Sequence, residues 1–410
     1  MHHTENRGHM GNSGNTGTYD QDAVLRARVL LLGSGRRTLT EEVGAYRVLA
    51  EVSPRAYLPK LAEALVSWGY ADELRDRPEV RTALHAEAAA AARRIDAGEP
   101  NRAEVLRRTL GAYERGLFTL GRRAEGRAVC EELAEAGAPG RLAVVLAEEG
   151  RHAEAAELCG RAARTVEPWS RFWSMAEWSA ELDAAGRREE AVEVFAELVA
   201  GTRRSAAAGD MPLGSLATEL LHLSGLLDAA GRGAAARAAR REALVVLDGL
   251  VRTGEAKTWG STLAPWLVLL QMSGRQAEPV ATPGAPMPSF GTYHVHGWSP
   301  DVREAYLASL PGLERETEAL RAEGRLPELL AAHRRLIRRA ALRWESRTWQ
   351  VEEPLRPLFD EGVALARRLP GDRRALPEAL TDRAVFLVAT RHHAEARADL
   401  AEAEDLLDRF

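Results

Sequence analysis

The chain has 410 residues, 45% hydrophobic and 28% charged, with a formal net charge of −5 at pH 7. That length exceeds a usual single core and points to several domains or an elongated repeat array. The slightly acidic balance, without a block of like charges, speaks against a nucleic-acid or polyanion binder. Cys130 and Cys159 are too few for a disulfide framework and form no paired CxxC.

Residues 1–19 are polar and rich in Gly, Asn, Ser and Thr, with no apolar run for a signal peptide. They read as a disordered tail, and the protein as cytoplasmic. From Asp22 onward Ala, Leu, Arg and Glu dominate and β-branched alternation is scarce, which predicts helices almost throughout. Ser53-Pro54, Glu167-Pro168 and Ser299-Pro300 each place proline at a first helical position, and the two serines suit N-caps. Residues 42–61 could form two short helices like a DNA-reading pair. Pro59 would then fall in the recognition helix, and no cluster of basic and amide side chains accompanies it.

One pattern then recurs: a glycine, a basic residue, and a large core residue nine positions after the glycine. It comprises Gly121-Arg122 with Cys130, Gly150-Arg151 with Cys159, and Gly186-Arg187 with Phe195. Glycines spaced on the order of 30–40 residues apart signal stacked helical hairpins. Both cysteines therefore read as buried structural thiols. In the clearest copy, Met175, Trp178 and Leu182 share a helix face, Ser179 lets the next helix approach, and Ala191, Phe195 and Leu198 form the facing stripe. Further turns fall at Gly231, Gly274 and Gly324. Pro279 interrupts the helix after Gly274, and a Pro/Gly-rich stretch follows. The pattern resumes with Leu329, His333 and Leu336 and closes with Leu380, Leu387, Ala396, Leu400 and Ala403.

These residues resemble the tetratricopeptide repeat. Tyr46-Arg47-Val48-Leu49-Ala50 followed by Pro54-Arg55-Ala56-Tyr57-Leu58-Pro59 is similar to the actinobacterial variety of that family. The resemblance covers most of residues 20–410. It implies an all-α fold, an α-solenoid of stacked antiparallel helical hairpins wound into a right-handed superhelix. Later units are longer than the family's usual repeat of about 34 residues. The expected organisation is a tail at 1–19, a first array at 20–274, a linker at 275–299 and a second, degenerate array at 300–410.

Enzyme signatures fail. Gly231-Arg232-Gly233-Ala234-Ala235-Ala236 matches a dinucleotide fingerprint by letter, but the segment before it is helical, and that motif works only after a strand. Neither a phosphate-cradling Gly-Lys-Ser/Thr loop nor a common hydrolase motif occurs. His294 and His296 share one side of an extended segment and could approach a metal, yet a site needs a third ligand that the segment does not supply. Tyr293 and Trp298 pinning the linker is the simpler reading. His392-His393 read as exposed chain.

Trp169, Phe172, Trp173 and Trp178 form the densest aromatic cluster. The resemblance places the helix side of Trp173 on the concave groove, where an aromatic anchors peptides over a large contact area. The same side gives Arg108, Arg115, Asp183, Asp228 and Gln271. Arginines there suit carboxylates, and the acids and amide suit backbone groups. The expectation is a non-catalytic scaffold holding a peptide or partner protein in that groove. It would need no cofactor, metal, nucleic acid or membrane. A regulatory sensor acting with a separate signalling or transcription-control effector is the alternative.

Overall fold

The computed structural model describes residues 20–165, 168–255, 298–344, 350–369 and 371–409. Among these no strand occurs, and successive helices pack on one another as in a helical-repeat solenoid. The chain divides into two compact units, residues 1–116 and 117–410.

The first unit opens with α1 (Gln21–Leu32), α2 (Leu39–Val52), α3 (Pro54–Gly69) and α4 (Pro78–Arg93), each packed on the next. Helix α5 (Arg102–Thr119) follows. Asp20 caps α1 by accepting from the Asp22 and Ala23 amides. Thr38 and Glu41 form a reciprocal capping box on α2. Leu58, Leu61, Ala62 and Leu65 of α3 are buried. Gly69 is a packing necessity, because a methyl there would lie 2.2 Å from His85 Nε2.

The second unit continues through α6 (Arg123–Glu135), α7 (Gly140–Glu148), α8 (His152–Thr165), α9 (Pro168–Ala184), α10 (Arg188–Ala207), α11 (Leu213–Ala229) and α12 (Gly233–Thr253). After the undescribed stretch come α13 (Pro300–Ala308), α14 (Leu310–Ala322), α15 (Leu326–Trp344), α16 (Glu352–Arg367), α17 (Ala375–Ala389) and α18 (His393–Asp408). In the turns at Gly121, Gly150, Gly186, Gly231 and Gly324 the glycine has positive φ. The amide of the residue after each glycine reaches back to the preceding helix, as Arg187 N does to Leu182 O at 2.9 Å. This is the Schellman stop, which glycine permits at no steric cost. Arg391 takes the same conformation, φ 68°, at the last turn. The arginine after the glycine also pairs with a glutamate three residues on: Arg122–Glu125, Arg151–Glu154 and Arg187–Glu190 at 2.6 Å, and Arg325–Glu328 at 3.0 Å. At four of these five turns the unit is therefore Gly-Arg-x-x-Glu, and after Gly231 the glutamate's place is taken by Ala235.

Phe195, Cys130, Cys159, Met175, Leu182, Leu329, His333, Leu380, Leu387, Ala396, Leu400 and Ala403 are all buried, and the two cysteines form no disulfide. Ser179 is buried and its hydroxyl donates to Ala191 O at 2.8 Å. Gly231-Arg232-Gly233 joins two helices, α11 and α12. Three expectations are corrected. Ser53 and Ser299 precede their prolines, but neither side chain caps its helix. His392 is not exposed chain: its Nε2 lies 2.6 Å from Glu352 and its Nδ1 3.5 Å from Glu395, because it holds the place of the turn arginine.

Helices on both sides of the Pro/Gly-rich stretch share one core, which joins Leu216, Phe195 and Leu247 with Val302, Tyr306, Phe359 and Phe386. The two runs meet at both ends. At one, the Ser299 amide donates to Glu148 at 2.8 Å, and Arg123 binds both Glu148, at 2.6 Å, and Asp301, at 3.2 Å. At the other, α11 packs on α17 and α12 on α18. Consequently α11 and α17 are buried on nearly all sides, as their continuous apolar character requires.

Candidate functional site

Where α11 and α12 meet α17 and α18, a cavity of about 530 Å³ opens. Small residues leave this gap: Ser224, Gly225 and Ala229 on α11, and Gly233 at the start of α12, face Pro377 and Thr381 of α17. Charge then lines what packing does not fill. Arg240 is nearly buried and donates to Asp228 at 2.6 Å and to Glu404 of α18 at 2.5 Å. Arg237 pairs with Asp408 at 2.7 Å, and Glu378 with Arg334 at 2.7 Å. Arg374, exposed on the cavity rim, makes no ion pair among the described residues. Of the three arginines that line the cavity, Arg374 is thus the one whose guanidinium is left for an acidic group.

The sequence candidates disperse. Arg108 and Arg115 lie on α5, exposed, in the stretch closing the first unit. Trp173 is half-buried on α9 against the shared core. Asp183 sits at the end of α9, 3.9 Å from Arg188, with its carboxyl pushed up by burial. Of the five described candidates, Asp228 alone lines the cavity. Gln271, His294 and His296 lie outside the described residues, as do the side chains of Trp169 and Phe172. Trp178 packs over Gly160, where a methyl would come within 2.8 Å of the indole, and Arg164 stacks 5.2 Å from its ring.

Three acids inside the second unit escaped sequence reasoning. Glu148 is fully buried but held by Arg123 and the Ser299 amide. Glu219 is also fully buried, and burial pushes its carboxyl well above the usual carboxylate range. Glu177 is pushed up to about 8, first by burial and then by the neighbouring Glu181 carboxylate. Glu181 itself lies 2.8 Å from His152 Nδ1. Among the described residues no three His, Cys, Asp or Glu side chains come together as metal ligands, and no helix is long and apolar enough to cross a membrane.

Fold and site define an α-helical repeat protein. No protein-family model and no curated protein matches the chain. Among solved structures it is similar to a "Circular tandem repeat protein with novel repeat topology and enhanced subunit contact surfaces". The identity is 16%, 95% of this chain and 90% of that chain are covered, and the TM-score is 0.19.

Proposed function

We infer that the protein is a non-catalytic interaction scaffold of the tetratricopeptide type, cytoplasmic, receiving an acidic segment of a peptide or partner protein. The observation that carries this reading is the cavity between α11–α12 and α17–α18, with Arg374 at its rim making no ion pair among the described residues and Asp228 and Arg237 within. Stacked hairpins offer rigid, pre-organised surfaces, so association there needs burial and a few charged anchors and no bond-making chemistry. Arg108, Arg115, Trp173, Asp183 and Gln271 are the proposed outlying contacts. A cavity of this volume also falls within the range of small-molecule sites, roughly 300–1,000 Å³. That favours, as second reading, a ligand-sensing module that acts with a separate effector.

The test is affinity capture from native-host lysate with two variants beside wild type. Arg374→Glu reverses the free charge. Gly225→Trp fills the cavity from a position where an added Cβ meets nothing within 4 Å. Both should lose the partner that wild type retains while keeping their helical circular dichroism. Retention of the same partner by both folded variants removes the cavity from the account. Thermal shift against small dicarboxylates, positive for wild type and absent in Gly225→Trp, would select the sensing reading.

A further inference from the structure

Two buried hydroxyls line the cavity between α11–α12 and α17–α18, and both have already given their protons away. Ser224, 4% exposed, donates to Leu221 O at 2.7 Å, and Thr381, 8% exposed, donates to Pro377 O at 2.8 Å. What they keep for the cavity is oxygen lone pairs, which accept and cannot donate. A ligand that fills the cavity without bringing N–H or O–H groups would strand these acceptors away from water, at a cost in affinity.

The exposed part of the lining carries charge of both signs on different walls. Asp228 stands on α11 and Arg374 immediately before α17, and the two make no ion pair with each other. Arg240 holds Oδ2 of Asp228. A carboxylate has about four lone-pair sites, and Oδ1 accepts no hydrogen bond among the described residues, so Asp228 can still receive a cation. Glu378 shares the wall of Arg374 but is bound to Arg334, and Arg237 is bound to Asp408. The cavity thus asks for a cation at Asp228, an acid at Arg374 and hydrogen-bond donors between them.

We propose that the cavity takes a short peptide of two or three residues with both ends free: its ammonium on Asp228, its carboxylate on Arg374, and its amide N–H groups toward Ser224 and Thr381. This rests on the cavity being the working surface of the protein. A single amino acid brings both charges but no amide N–H for the hydroxyl oxygens. A dicarboxylate satisfies Arg374 but sets its second acid against Asp228. The size agrees: Arg374 and Thr381 are seven residues apart in sequence, about 10 Å along a helix. Two or three extended residues, at about 3.5 Å each, cover about 7–10 Å.

Calorimetric titration of the full chain with trialanine, and thermal shift with a mixed-sequence tripeptide pool, test this. Wild type should bind trialanine, and N-acetyl-trialanine, trialanine amide, alanine and glutarate should each bind at least about tenfold more weakly. Gly225→Trp should abolish binding. Asp228→Asn should weaken trialanine and become indifferent to N-acetylation, while Arg374→Gln should weaken it and become indifferent to amidation of the other end. That pairing of each variant with one end of the peptide is a signature that general loss of structure would not produce, and circular dichroism checks that both variants fold. No response of wild type to trialanine or to the pool, equal affinity for capped and free peptides, or undiminished binding in Gly225→Trp would each overturn the proposal. Partner capture by Gly225→Trp reads the cavity itself separately: a partner still lost there, with no peptide bound by wild type, would leave the cavity in use and the peptide ligand refuted.

Discussion

Arg391 is the residue where the repeat departs from its own chemistry, and changing it tests how the hairpins are terminated. Gly121, Gly150, Gly186, Gly231 and Gly324 hold φ between 68° and 79°, and Arg391 holds 68° in the equivalent turn. The hydrogen bonds are the same: the Arg391 amide reaches Val388 O at 3.1 Å, and the His392 amide reaches Leu387 O at 2.8 Å. Left-handed backbone costs a residue with a Cβ roughly 1–2 kcal/mol. Glycine removes that cost but gives back roughly 0.5–1 kcal/mol through the freedom it adds to the unfolded chain. Arg391→Gly should therefore stabilise the last hairpin by about 0.5–1 kcal/mol, and Gly186→Ala should destabilise its own by a similar amount. Native-state hydrogen exchange at the His392 amide is the local readout, expected to slow about two- to fivefold. Unchanged or faster exchange in Arg391→Gly, together with no effect of Gly186→Ala at the Arg187 amide, would refute the shared-turn argument.

Phe195 is fully buried, its ring centroid 4.7 Å from that of His222, so Phe195→Ala should cost about 3–5 kcal/mol in urea unfolding; an unchanged midpoint would show that the ring carries no packing. Gly160→Ala should displace the Trp178 indole and cost about 1–3 kcal/mol, visible as altered tryptophan fluorescence and a lower midpoint. Glu177 has an ordinary value of 4.5 and a folded value of about 8, so the unfolded chain gives up its proton first. The stability it contributes is complete below the lower value and declines as pH rises toward the upper one. Glu177→Gln keeps the neutral form, so its advantage over wild type should grow from pH 5 to pH 8, and a pH-independent difference would contradict the assignment.

The hairpin register was legible because it is local. A glycine followed by a basic residue and, nine positions on, a large one reports a turn and the core contact after it, and Cys130, Cys159 and Phe195 are buried accordingly. The glutamate of Gly-Arg-x-x-Glu was equally present in the sequence. It was passed over because an exposed arginine–glutamate pair carries no hydrophobic signal. Gly160, which admits Trp178, looks like any helical glycine until its neighbour across the hairpin is known. The cavity was not legible, apart from Asp228. It depends on Arg240 meeting Glu404, a contact between distant parts of the chain that no periodicity announces. For the same reason the nearly complete burial of α11 and α17 reads in the sequence only as unusually apolar helices, without saying that they cover each other.

The central functional claim is that a partner seats between α11–α12 and α17–α18. Hydrogen–deuterium exchange of the full chain, with and without the captured partner, measures this most directly. The account predicts new protection in the last turn of α11 around Asp228, the first turn of α12 and the segment from Arg374 to Thr381. Protection confined to other helices, with those three segments unchanged, would contradict it.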